Sequence, residues 1–367
     1  MTEHIGSSDV MGPAKLPIDF NVFERFATSE LTHSGIWGWI LQSLDPDCPE
    51  ELHELRAPAR ALLKRLNVQL DGRISVQREV KLHGSAGRVD IEVTDQNSRV
   101  VVIETKVKAA PDVAQRERYA AAYRAAQRAQ NTPRRLIAIT ILSTTFDEPL
   151  DRTDIGYIGA AEILDILHAG RYQGQLINQY TTWLDYTLKT RKANVDKALG
   201  RDPIVARDAL RDGAAQWGVM RSVRDQLGGQ AAASLYCGRN LDGSAWTQVA
   251  FTSGCTSDCD QLFYRLESRG DAAEFTLRQY GKPITPGKAD RLDRLRQWFR
   301  EAMMASGCPA NYFDTTPRYA RRDVQEAKVA QVTIPSATAA DLLERLPSVH
   351  AAFARRLGDE GWPLGPA

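Results

Sequence analysis

The sequence predicts an α/β protein with a mixed central sheet, followed by a second domain of the α+β class. Three observations predict it. The elements between residues 20 and 142 read in the order helix, three strands, helix, strand. The run Val100-Val101-Val102-Ile103 is apolar on both faces, which marks a central strand covered from both sides. The stretch 188–203 turns polar and charged, and a fresh set of strands and helices follows it.

Taken in order, apolar positions at Phe23, Phe26, Ile36, Trp37, Ile40, Leu41 and Leu44 describe a helix over residues 20–44. Asp45-Pro46 closes it, because proline disfavours helical backbone in the residue before it. A second helix is expected over 57–70, with Leu62, Leu63 and Leu66 on one stripe. Ile74, Val76 and Val80 fit a strand. Val89, Ile91 and Val93 then alternate with Arg88, Asp90 and Glu92, the period-two pattern of a strand with one apolar face. Asp95-Gln96-Asn97-Ser98 is a turn cluster, and the doubly apolar strand ends in Glu104-Thr105-Lys106. An alanine-rich helix is expected over 113–130, strands over 136–142 and 155–158, and helices over 160–169 and 175–188. Beyond the polar stretch come a helix over 204–227 and strands near 233–236, 247–252, 262–268 and 274–279. Helices over 286–305 and 339–357 complete the chain. The domains so drawn are a flexible leader (1–17), a catalytic domain (18–195) and a C-terminal domain (204–367).

The chain has 367 residues, 43% of them apolar and 25% charged, the balance of an ordinary globular protein with a sizeable core. No window approaches the roughly 18 consecutive apolar residues needed to span a bilayer, and residues 1–17 carry no secretory pattern. Cys48, Cys237, Cys255, Cys259 and Cys308 are an odd, scattered set, unlike a disulfide framework, so a reducing cytoplasm is the expected compartment. With 47 basic and 46 acidic residues, the net charge of +1 gives no global argument for nucleic-acid binding. Local patches decide that question.

The chemistry concentrates on two strands. Residues two apart on a strand share a face, so Glu104 and Lys106 project together at the end of an apolar strand. A short turn brings Asp90 back beside Glu104. Two neighbouring carboxylates repel unless they share a cation. Mg²⁺ or Mn²⁺ suits this set, since Mg²⁺ typically takes one or two carboxylates and completes its shell with water and phosphate oxygens. The Lys106 ammonium is then placed to orient water or offset transition-state charge.

Asp90 followed by Glu104-x-Lys106 on the next strand resembles the signature of the PD-(D/E)xK nuclease superfamily, and the element order resembles its restriction-endonuclease-like αβββαβ core. Glu30-Leu31-Thr32-His33-Ser34, with Trp39-Ile40-Leu41 and Asp45-Pro46, resembles the first helix of a bacterial branch of these nucleases. Gln115-x-x-x-Tyr119 resembles the QxxxY element of RecB-like members. The resemblance covers residues 20–190. It implies metal binding by Asp90, Glu104, the Thr105 backbone carbonyl and Glu30, with Gln115 assisting catalysis and His33, Ser34, Tyr119 and Lys108 near substrate. Valine, not proline, precedes Asp90. Thr105 stands where relatives often carry asparagine, on the strand face turned away from the metal.

Each residue also has a plainer reading. Glu30 fits a helix N-terminal acid favoured by the macrodipole, His33 a structural hydrogen bond, Gln115 and Tyr119 a solvated helix face, and Glu92 a supporting or edge position. Cys255 and Cys259 lack the histidine or paired cysteines of a zinc clip. The basic helix around Arg291, Arg294, Arg296 and Arg300 suits either phosphate contact or internal pairing with Asp290, Asp293 and Glu301; Arg318, Tyr319, Arg321 and Arg322 add a second cluster.

The expected function is metal-dependent hydrolysis of DNA, in bacterial defence or repair. A homodimer is compatible with cutting both strands, as is a protein partner on the C-terminal domain. The alternatives are a nuclease-fold binding protein without turnover and a nuclease directed at RNA.

Overall fold

The computed structural model describes residues 21–23, 29–82, 87–107, 113–130, 134–144, 156–170, 174–229, 233–252, 260–281, 288–316, 326–334 and 337–365. Its contacts divide the chain into two compact units, one running to Leu188 and the other from Lys189 onward. Lys108, the leader, Cys255, Cys259 and the Arg318–Arg322 cluster lie outside the described residues.

In the first unit, helix α1 (Glu30–Gln42) leads through a 3-10 turn (Glu50–Leu55) to α2 (Arg56–Arg65). Strands β1 (Ile74–Lys81), β2 (Arg88–Asp95) and β3 (Arg99–Lys106) follow, then α3 (Val113–Gln130), β4 (Arg135–Ser143), β5 (Gly156–Ile158), α4 (Ala160–His168) and α5 (Gln175–Ala198). The sheet order is β1-β2-β3-β4-β5. β1, β2 and β3 pair antiparallel, whereas β3–β4 and β4–β5 pair parallel. This is the mixed αβββαβ sheet that the sequence predicts.

The central strand behaves as its composition requires. Val101 and Ile103 join α1, α2, α4 and α5 in one core with Trp37, Ile40, Leu41 and Leu62. Val100 and Val102 face the other way, onto Val89 and Tyr119. All four β3 residues are fully buried, and burying a side chain of this size contributes roughly 1.5–3 kcal/mol. The β2–β3 turn is held by Asp95, whose carboxylate accepts the backbone N–H of Asp71 (3.1 Å), Asn97 (2.9 Å) and Arg99 (2.9 Å).

Four boundaries differ from expectation, the first being that of the opening helix, which starts at Glu30 and not at residue 20 because its cap residue Ser29 is extended (φ −125°, ψ 149°). The second helix stops at Arg65 because Asn67 takes a left-handed conformation (φ 53°) and Val68 N–H bonds back to Leu63. The polar stretch after Leu188 stays helical as far as Ala198, since long polar side chains are good helix formers on an exposed face. The expected helix over 204–227 is two helices, α6 (Pro203–Ala209) and α7 (Gly213–Gln226), because Asp212 caps a new start by accepting Ala214 N–H.

The second unit carries an antiparallel sheet, ordered β10-β9-β8-β7-β6. Its strands are β6 (Ser234–Arg239), β7 (Ala245–Ala250), β8 (Gln261–Arg269), β9 (Ala272–Tyr280) and β10 (Glu326–Ile334), with helices α8 (Lys288–Ala305) and α9 (Ala339–Asp359). β10 is an element that sequence reading missed: Lys328 and Gln331 interrupt its apolar alternation, and its register shifts between Lys328 and Ala330. The basic helix α8 is largely paired internally. Arg291 meets Asp260 (3.3 Å), and Arg296 meets Asp293 (3.0 Å) and the Lys328 carbonyl (3.1 Å). No described helix is long and apolar enough to cross a membrane.

Candidate active site

The β2–β3 pairing register ends at Ile91 opposite Ile103, and the strands hand over to side chains there. On the outer flank, β1–β2 pairing skips Glu79, which adopts φ 57° and pairs with Arg88 (2.7 Å). For a residue with a side chain this is an uncommon backbone conformation, and such strain concentrates at functional sites. Asp90 stands opposite the skipped residue.

Glu104 and Lys106 do project together. The Lys106 ammonium donates to Glu104 Oε1 at 2.7 Å and lies 3.9 Å from Glu30. Both are buried, Glu104 to 4% exposure and Lys106 to 8%. Gln115, from the first turns of α3, donates its amide N–H to the same Glu104 oxygen at 2.7 Å and also to the Tyr119 hydroxyl. Tyr119 passes its own proton to the Arg88 carbonyl at 2.6 Å. One helix turn separates Gln115 from Tyr119, so a single face of α3 ties the site to the end of β2. These two are not a solvated face.

The electrostatics follow from burial. Desolvation pushes the Glu104 carboxyl above its ordinary range; Lys106 pulls it back and Asp90 raises it further. Glu30 is raised for the same leading reason, with Lys106 opposing and Asp90 adding. Burial draws the Lys106 ammonium down, but Glu104, Glu30 and Asp90 outweigh it, so its affinity for the proton rises and it stays charged. Tyr119 is pushed up to about 12 by burial and then by the Glu104 charge, and remains a neutral donor.

A hard divalent cation fits these donors. Glu104 Oε2 is buried with no hydrogen-bond partner, while Oε1 carries both of its donors. An orphaned carboxylate oxygen of this kind is costly unless something positive reaches it. Among the described residues, no group of three or more His, Cys, Asp or Glu side chains could hold a metal ion. A site of that kind suits Mg²⁺, which typically takes one or two carboxylates and completes its shell with carbonyl, water or phosphate oxygens.

Comparison with protein families decides the affiliation: a model of the PD-(D/E)XK nuclease superfamily matches residues 20–282. The chain belongs to the PD-(D/E)XK nuclease superfamily. No curated protein and no solved structure matches it. The match runs well past the roughly 170 residues in which the sequence resemblance is legible by eye and reaches through β9. Nucleases of this superfamily generally use divalent metal ions, in keeping with the donor set found here.

Within this PD-(D/E)XK nuclease, three residues expected near substrate are buried and hydrogen-bonded. His33 is 1% exposed; its Nδ1 pairs with the Tyr180 hydroxyl at 2.9 Å, and its ring packs on Tyr180 and Trp183. Ser34 is fully buried, donating to the Leu31 carbonyl (3.1 Å) and accepting from Arg78 (3.1 Å). Tyr119, at 3% exposure, braces the site from within. These side chains hold α1 and α3 in place.

Sequence reading assigned Arg78 no role at the site, set Glu92 down as a supporting or edge residue, and turned the Thr105 side chain away from it. Arg78 lies across α1, donating to the Leu31 carbonyl at 2.8 Å; a Cβ at Gly38 would sit 3.2 Å from its Cδ, so glycine leaves it room. Buried Glu92 accepts the Tyr123 hydroxyl and pairs with Arg134 (3.3 Å). Thr105 does not turn away from the metal ligands: its hydroxyl donates to Asp90. The one available signal was its place between two functional residues, since a short polar side chain there can bond a neighbouring strand.

Proposed function

We propose that the protein is a Mg²⁺- or Mn²⁺-dependent deoxyribonuclease, with Asp90 and Glu104 as the side-chain metal ligands. The observation that carries this reading is the unshared Glu104 Oε2, buried beside Asp90 and Lys106. The Thr105 carbonyl supplies a further oxygen, and Glu30 holds a water beside the cation. When bound, the cation supplies Lewis-acid stabilisation of charge on the scissile phosphate.

The chain's own residues do the rest. Lys106, held charged by its three carboxylate neighbours, hydrogen-bonds the attacking water or the developing phosphoryl charge. Gln115 keeps Glu104 Oε1 occupied, so that Oε2 is the oxygen presented. Glu30, half-exposed at the start of α1, sits where it can accept a proton or steady a water beside Lys106. A role in bacterial defence or repair accords with DNA as the substrate. The second unit then selects substrate or binds a partner, and a homodimer would place two sites on a duplex.

Purified protein incubated with supercoiled plasmid, labelled single-stranded DNA and labelled RNA, each with Mg²⁺, Mn²⁺ or EDTA, tests the reading. DNA cleavage that needs metal supports it. Cleavage of RNA alone moves the assignment to a ribonuclease. Metal binding without cleavage of any of the three makes the chain a binding protein on a nuclease fold.

A further inference from the structure

The Asp90 carboxylate is held by one neighbour on the next strand. Where the β2–β3 ladder stops, Thr105 backbone N–H donates to Asp90 Oδ2 at 2.7 Å, and the Thr105 hydroxyl donates to the same oxygen at 2.8 Å. The hydroxyl also lies 3.2 Å from the Glu30 carbonyl at the start of α1. It has one proton for two acceptors, and the shorter contact, to the Asp90 carboxyl oxygen, takes it. Thr105 is 1% exposed, so water does not substitute for it. Both donors converge on Oδ2.

We propose that Thr105 is a positioning residue: its hydroxyl, together with its backbone N–H, fixes the orientation of Asp90, so that Asp90 is set for metal before metal arrives. The inference rests on Asp90 being a metal ligand, and reaches beyond that reading by giving a role to the side chain between Glu104 and Lys106. Groups that orient metal ligands typically change affinity or activity about 10–100-fold when removed. Valine at 105 keeps the shape and the backbone N–H but deletes the hydroxyl. Serine keeps the hydroxyl and deletes a methyl.

The test is Mn²⁺ binding to full-length wild type, T105V, T105S and D90N by titration calorimetry, with thermal melting of each in EDTA. The expected result is a dissociation constant raised about tenfold or more in T105V, near wild type in T105S, with both variants folded. Because binding is read without cleavage, a wild type that binds Mn²⁺ but cuts nothing sinks the nuclease reading and leaves this one standing. Wild-type affinity in T105V, equal losses in T105V and T105S, or no Mn²⁺ site sensitive to D90N would each overturn the role assigned to Thr105.

Discussion

Glu104 shows how a single residue reports chemistry. It is buried, one oxygen is doubly bonded by Lys106 and Gln115, and the other is left without a partner. A side chain selected for packing does not carry that cost. Its raised pKa has a direct consequence. Protonation removes the anionic ligand, so Mn²⁺ affinity falls as pH drops through a range lying above that of an ordinary carboxyl group, and calorimetry at stepped pH checks it. In metal-free protein the sign for stability is the reverse. A carboxyl raised by folding contributes most while protonated, and that contribution is lost as pH rises through the folded value. Gln115→Ala should lower cleavage about 10–100-fold at subsaturating metal, with a smaller loss at saturation, because Gln115 acts on the ligand and not on the phosphate.

At the scale of elements, the αβββαβ order and the β2–β3 hairpin were legible because each depends on local pattern, a doubly apolar β3 and a turn that Asp95 closes. The single apolar face expected of β2 is not met, since Val89 packs with Val100 and Val102 while Ile91 and Val93 join the opposite core. Asp90, Glu104 and Lys106 were legible for the same reason, being read against the strand period. What escaped depends on distant partners. For His33 the sequence left a structural bond and a phosphate contact open, and the partners themselves, Tyr180 for His33 and Arg78 for Ser34, lie far along the chain. The β10 strand escaped because its polar residues find partners across the sheet, as Lys328 does with Glu274 (2.6 Å). His33→Ala is accordingly a stability variant: a loss of about 2–3 kcal/mol for cavity and hydrogen bond together, with Mn²⁺ affinity within about twofold of wild type. Asp95→Ala should cost about 2–3 kcal/mol. Burial raises the Asp95 pKa, but the Asp71 and Arg99 amides and the Arg99 guanidinium outweigh it and set it below the ordinary value. Its stabilisation is present above the ordinary aspartate range and is lost as pH falls through the folded value. Urea melts of both proteins at pH 7 and pH 3 separate the two effects.

For the whole molecule, a ligand that binds only the folded state stabilises it by mass action, by about 2.7 kcal/mol at a hundred times its dissociation constant. Mn²⁺ should therefore raise the melting temperature of wild type and leave that of Glu104→Ala nearly unmoved. The superfamily match extending beyond Leu188 indicates that at least part of the second unit's sheet belongs to the family's shared sequence. Truncation at residue 188 thus removes family sequence as well as whatever substrate or partner surface that unit carries.

The central claim is that Glu104 and Lys106 carry out metal-dependent phosphodiester cleavage. Single-turnover cleavage of labelled DNA with saturating Mn²⁺, comparing wild type with Glu104→Ala and Lys106→Ala at matched circular dichroism, tests it most directly. Rates at least about a hundredfold lower are expected in both variants, with Lys106→Ala still binding Mn²⁺ and Glu104→Ala having lost it. Equal rates in all three proteins would contradict it and place any cleavage outside this site.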